Sequence, residues 1–233
     1  MTFPMTHPTP QMMNFNIFTP WRIMRPRVFR LMDSQYVDAF FEDGSLRLSS
    51  FARFAQHSDE ARKDEHEGSG IRVGRGNEMT IFSVHGTGTN CYVLCGTTTD
   101  TERVRSQFPG ADGCFVIDDL MGFGSTVSLE LPYFDQGLEG PAIYQDDPTI
   151  YKDVGALKWE DIEEKHKRPD GTISMVAIPE MAMRVGGPEE MFIKPAKYAD
   201  QSEYRILWSV RKQIEPFIDI KAPAARQFCR RVR

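Results

Sequence analysis

Apolar residues along the chain fall mainly into short stretches, and most of these alternate with polar residues. "RPRVFRLMDS" predicts a strand over residues 28–31. In the next stretch, "SQYVDAFFEDG", Tyr36, Val37, Phe40 and Phe41 recur at helical spacing. It predicts a short helix with Ser34 as N-cap and Gly44 as stop. In "SLRLSS", Leu46 and Leu48 alternate with Ser45, Arg47 and Ser49, the period of a strand with one buried face. "EMTIFSVHG" and "NCYVLCGTTTD" predict two strands paired across "HGTGTN", while "GSGIRVGRGN" before them reads as a turn region. Further on, "DTERVRSQF" and "KWEDIEEKHK" read as helices. "GCFVIDDLMGF" reads as a buried strand with an acidic end, "ISMVAIPE" as a strand, and "MFIKPAKYADQSEYRILWSV" as two more.

Many strands, few helices and no regular strand–helix alternation disfavour a doubly wound parallel sheet. They predict a mixed α+β fold with largely antiparallel sheets. Residues 1–21, rich in Pro and Met without a period, are expected to form an extended arm. Residues 22–233 form one domain, with an insertion-like segment at about 130–175 where Pro, Gly and Asp are dense.

Composition narrows the functional classes. With 40% hydrophobic residues, including 16 Phe and 12 Met, 233 residues suffice for a sizeable core. A net charge of −5 argues against nucleic-acid binding through overall charge. It leaves room for a local patch, and the tail "RQFCRRVR" supplies one in Arg226, Arg230, Arg231 and Arg233. Such a patch suits a phosphate backbone, or docking to an antitoxin or other partner. The apolar runs are too short to span a membrane, and the N-terminus has no secretory-signal pattern. Cys91, Cys95, Cys114 and Cys229 include no C-x-x-C pair, so they are expected to be buried thiols of a cytoplasmic protein, with no metal site.

Three stretches carry candidate chemistry: Arg30 on the first strand, Thr97, Thr98 and Thr99 after "CYVLCG", and Gln201-x-Glu203 at the head of a strand. Two residues apart on a strand, Gln201 and Glu203 would share a face. Each also has an ordinary structural reading: a surface ion pair, a strand end, a solvated strand face. The charge run 56–68 holds Asp59, Glu60, Asp64, Glu65, His66 and Glu67, interrupted by Arg62 and Lys63, and reads as a solvated helix face. A narrower reading has Arg62, Asp64 and Glu67 organising a loop over a pocket, with Arg53 and Phe54 clasping a nucleotide. "HGTGTN" lacks the P-loop Lys and reads as a hairpin turn, and Asp118 with Asp119 reads as a strand-end acidic cap.

Taken in order, a strand Arg, a Thr-rich strand end and a late Q-x-E resemble the ADP-ribosyltransferase superfamily. "GSLRLSSFARF", "DEHEG" and "YADQSEYR" look like bacterial domains tied to phage defence and toxins. The resemblance implies a split β-sheet core with short peripheral helices. It also implies an NAD pocket in which Arg30, Thr97, Thr98, Thr99, Arg53 and Phe54 bind the dinucleotide. Glu203 is the catalytic carboxylate there, and Gln201 orients the acceptor. The implied activity is mono-ADP-ribosylation of a nucleic acid, such as RNA, or of a protein. NAD hydrolysis on the same fold and a non-catalytic interaction module are the alternatives.

Overall fold

A computed structural model of the chain describes residues 11–13, 25–55, 68–76, 80–155, 158–172 and 185–233. Fourteen strands occur among them. In chain order they are β1 (Gln11–Met13), β2 (Val28–Met32), β3 (Ser45–Ser50), β4 (Ser69–Gly76), β5 (Thr80–Gly86), β6 (Cys91–Thr97) and β7 (Gly113–Ile117). Then come β8 (Phe134–Pro141), β9 (Ile143–Tyr144), β10 (Thr149–Gly155), β11 (Ile193–Lys194), β12 (Glu203–Val210), β13 (Phe217–Lys221) and β14 (Cys229–Arg231). Five short helices accompany them: α1 (Ser34–Asp43), α2 (Phe51–Ala55), α3 (Glu102–Arg105), α4 (Leu120–Leu129) and α5 (Trp159–His166). The architecture is mixed α+β and mostly antiparallel, as expected. Among the described residues no helix is long and apolar enough to cross a membrane.

Nine strands make the main sheet, in the order β1-β8-β12-β6-β2-β7-β14, with β3 on β6 and β13 on β3. The sheet therefore forks at β6. One edge of β6 pairs continuously with β12, from Glu203↔Thr97 to Ser209↔Cys91. The opposite edge is shared: β3 takes Val93 and Tyr92, and β2 meets it only at Phe29↔Thr97. Between those contacts the two branches diverge.

Gly96 sits in the fork for a steric reason. A Cβ there would lie 2.4 Å from Val28 Cγ1 and 2.8 Å from the Phe29 carbonyl oxygen. The second contact is backbone, so only separation of β2 from β6 would relieve it. Gly96→Ala is expected to cost about 1–3 kcal/mol of overpacking, read by urea denaturation. A midpoint equal to that of the unaltered chain would show that the fork has slack.

β12 is the centre of the core. It lies between β6 and β8 and is buried on both faces, which explains why "YRILWSV" is nearly continuous in apolar residues. Trp208 is fully buried and donates from Nε1 to the Gly124 carbonyl at 3.0 Å. Phe40 of α1 stacks on Phe115 of β7 with ring centroids 4.9 Å apart. α1 ends at Gly44, whose φ of 82° is the left-handed stop expected of glycine. Its N-cap is Asp33 rather than Ser34; the Ser34 backbone N–H and hydroxyl both donate to Asp112, at 2.6 and 2.9 Å.

Several sequence expectations are corrected. "EMTIFSVHG" does not form a hairpin with "NCYVLCG". Both edges of β6 are taken, so β5 pairs with β4 in a separate three-stranded sheet, β10-β4-β5, and Thr87–Asn90 is a 3-10 turn that crosses between sheets. "GSGIRVGRG" is thus the central strand of that sheet, not a turn region; its glycines allow close packing, Gly74 having Val185 and Val154 against it. "DDLMGF" begins α4, with Asp119 accepting from the Gly122 N–H at 3.1 Å as its N-cap. Asp118 instead pairs with Arg230 at 2.9 Å and Arg27 at 3.0 Å.

The segment 130–175 contributes to more than one part of the fold. β8 belongs to the main sheet, β10 runs parallel to β4, and α5 follows. The basic tail is woven into the fold: β14 pairs with β7, Arg231 pairs with Asp38, and Arg226 Nη1 donates to the carbonyls of Phe41 and Glu42, each at 2.9 Å. Of residues 1–21 only β1 is described, paired with β8. "ISMVAIPE" and the charge run lie outside the described residues.

Candidate active site

The fork of the main sheet opens into a cleft of about 690 Å³, a size typical of small-molecule sites. β6 supplies Val93, Cys95, Gly96 and Thr97 to its floor. β2 gives Arg30 on one branch, and β3 and β13 give Arg47 and Asp219 on the other. α1 closes the space between them with Tyr36, Ala39 and Phe40, and Lys194, Gln201 and Glu203 line it as well.

Register explains how distant parts of the chain meet. Thr97 is paired with Glu203 on one side and with Phe29, next to Arg30, on the other. Arg30 bridges the fork: its Nη1 donates to the Cys95 carbonyl at 2.5 Å. Arg30, Thr97, Gln201, Glu203 and Arg53 therefore all line one cleft. Thr98 and Thr99 do not. They build the turn behind Thr97, whose hydroxyl accepts from the Thr99 N–H at 3.2 Å and donates to the Thr99 carbonyl at 3.0 Å. The Thr98 N–H donates to the Ser202 carbonyl at 2.9 Å. Phe54 falls in α2 beside Arg53, and its side chain lies outside the described part of the structure.

Gln201 and Glu203 do converge, though not by strand alternation. Gln201 ends the 3-10 turn Ala196–Gln201, and Ser202 follows in the left-handed region at φ 46° before β12 begins. What joins the pair is Lys194 of β11. Its Nζ donates to Gln201 Oε1 at 2.8 Å and to Glu203 Oε2. Because an ammonium only donates, it dictates that Gln201 faces it with oxygen. Arg205, two residues along β12 from Glu203 and on the same face, donates from Nε to Glu203 Oε1 at 2.6 Å. The Glu203 N–H donates to the Tyr144 hydroxyl at 2.7 Å.

Glu203 is 6% exposed and Gln201 1%. Burial alone would raise the pKa of Glu203, but the adjacent charges of Lys194 and Arg205 outweigh it and hold the carboxyl well below its usual range. The sign follows: this ionised cluster stabilises the fold above the unfolded-state value of about 4.3 and loses that contribution as pH falls through the lower folded value. Burial also pushes the Tyr144 phenol up, keeping it neutral.

Across the cleft, the Arg47 and Arg53 guanidinium carbons lie 4.2 and 4.6 Å from the Phe217 ring centroid, and Arg47 pairs with Asp219 at 2.6 Å. Five basic residues line the cleft (Arg30, Arg47, Arg53, Lys194, Lys221) against three acidic ones (Asp33, Glu203, Asp219). An acidic chain thus encloses a cleft with a surplus of positive charge.

Sequence reasoning missed Lys194, Arg205 and Tyr144. The first two had a signal. Lys194 is a lone cation inside "MFIKP", and Arg205 stands two residues after Glu203. Tyr144 had none, because strand pairing brings it to Glu203: β8 lies beside β12, the Ala142 N–H donates to the Glu203 carbonyl at 2.9 Å, and β9 pairs with β11. No family model, curated protein or solved structure matches the chain.

Proposed function

We propose that the chain is an NAD-consuming ADP-ribosyltransferase built on the split sheet of that superfamily. The observation that carries this reading is the meeting of Arg30, Thr97 and Glu203 in one cleft, although they come from three distant parts of the sequence. The surplus of basic groups around them supports it, since a dinucleotide brings a pyrophosphate and Arg matches phosphate oxygens in a bidentate fork.

In this reading Arg30 and Arg53 hold the pyrophosphate and Thr97 backs the ribose. The bond between nicotinamide and ribose C1″ breaks, its electron pair leaving with neutral nicotinamide, and positive charge develops on the sugar. Glu203 lies fixed and ionised beside that charge, which is preorganised electrostatic stabilisation. The acceptor's lone pair then bonds C1″ and its proton passes to solvent. Lys194 and Arg205 fix the carboxylate and keep it charged, while diluting its field.

The acceptor in this reading is RNA or protein, in a toxin or phage-defence setting with an antitoxin or regulatory partner. A second reading, hydrolysis with water as acceptor, is favoured by the burial of Gln201 and Glu203. NAD carrying ³²P in its adenylate phosphate separates them. Label retained on RNA or on protein means transfer to that acceptor, and label found solely in free ADP-ribose means hydrolysis. No loss of NAD and no NAD binding would overturn both and leave a non-catalytic module.

Arg30→Ala is expected to raise the apparent KM for NAD roughly ten- to a hundredfold, the loss of a hydrogen bond to a charged group. The effect on kcat should be smaller, because the contact exists in ground and transition states alike. Initial rates over a range of NAD concentrations test this, and an unchanged KM removes Arg30 from the binding role.

A further inference from the structure

A second polar network lies outside the cleft lining and connects to it through the chain. Arg72 of β4 is fully buried and does not line the cleft. Its Nη1 donates to the Val185 carbonyl at 2.8 Å and to Glu189 Oε2 at 2.9 Å, and its Nη2 donates to the Gly187 carbonyl and to Glu190 Oε2. Lys152 of β10 adds bonds to the Gly186 carbonyl at 2.5 Å and to Glu189 Oε1 at 2.8 Å. Two cations of the three-stranded sheet thereby hold residues 185–190.

The chain leads directly from there to Glu203. The Met191 carbonyl accepts from Arg205 Nη1 at 2.7 Å. β11 follows and carries Lys194. Both charged neighbours of the Glu203 carboxylate are thus set by the direct continuation of that segment: Met191 orients Arg205, and Lys194 follows three residues later.

Burying an arginine is a poor way merely to glue two elements, since apolar residues of similar volume hold as well or better. Its advantage is direction. Four acceptors on one planar fork fix the rotation of the segment as well as its place. We propose that Arg72 is a positioning residue for the Lys194–Glu203–Arg205 set, so that the three-stranded sheet fixes the cleft's geometry without touching the ligand. The kinetic consequence rests on the NAD reading; the structural consequence does not.

The test uses the full chain with Arg72→Met and Arg72→Lys. Lys194 is acetylated with a water-soluble N-hydroxysuccinimide ester and read by mass spectrometry, with exposed Lys212 as internal standard. Alkylation of buried Cys114 serves as the control for global opening. The expected result is a rise in Lys194 acetylation of about tenfold or more in Arg72→Met, as local opening requires, with Cys114 unchanged and Arg72→Lys in between. On NAD, kcat should fall roughly ten- to a hundredfold with KM within about twofold, because Arg30 and Arg53 are untouched. Should Arg72→Met fail to fold, Arg72→Lys alone carries the comparison. Unchanged Lys194 acetylation overturns the proposal, and so does a parallel rise at Cys114, which would make Arg72 a support of the whole fold. No NAD cleavage by the unaltered chain, together with a selective rise at Lys194, would sink the NAD reading and uphold the positioning role.

Discussion

Glu203→Gln is expected to lower nicotinamide release from NAD by about 10²–10³-fold, the usual penalty for removing one preorganised electrostatic group from a reacting centre. The amide matches the carboxylate in shape and keeps an oxygen for Lys194 or Arg205, so the cleft stays built. In the proposed reaction, what disappears is the negative charge beside the developing sugar cation. The same change strips a buried cation pair of its counter-charge, which costs about 3–5 kcal/mol where a buried ion pair is broken from one side. Rates must therefore be normalised to folded protein, measured by circular dichroism in the same samples. KM should change little. A folded variant within about threefold of the unaltered rate would mean that Glu203 is structural, tied up by Lys194 and Arg205, and the cleft would need another function.

Trp208→Ala should have the largest effect on stability. The side chain is fully buried between α4 and the main sheet, and its loss costs about 3–5 kcal/mol in transfer and cavity terms. The Gly124 carbonyl also loses its donor, for about 1 kcal/mol more. Against a total stability of about 5–15 kcal/mol, that leaves little margin. Urea denaturation should show the midpoint collapsing, whereas Trp208→Phe, which refills most of the volume, should recover about half of the loss. A midpoint that barely moves in Trp208→Ala would contradict the central place of β12.

How much of this was legible follows from what each signal measures. Local periodicity identified α1 and β3, because Val37, Phe40, Leu46 and Leu48 are buried where spacing placed them. It missed α4 although the buried positions Leu120, Phe123, Gly124 and Val127 keep helical spacing: one of the four is a glycine, Gly122 depresses the propensity further, and apolar Leu129 lies exposed off that face. Pairing was harder still. That β5 joins β4 and not β6 depends on β6 having both edges occupied, one of them by a strand more than a hundred residues later. Arg30, Thr97, Gln201 and Glu203 were found as separate residues of the right chemistry, and their meeting is a property of the fork. Thr98 and Thr99 were grouped with Thr97 by composition, yet hydrogen bonding uses them to build a turn. Lys194 escaped because a single lysine in an apolar stretch is read as a strand end until a carboxylate is found beside it.

The late position of β12 in the chain has a consequence for biosynthesis. Its slot between β6 and β8 is filled by residues 203–210, and β13, which completes one wall, comes later still. A growing polypeptide therefore cannot assemble the cleft before residues 203–221 have left the ribosome. Until then the inner edges of β6 and β8 have no mate, a state that invites chaperone binding or aggregation. Chains that stop short of residue 203 should be inert as well as insoluble, so any activity this cleft has is withheld until β12 and β13 have emerged.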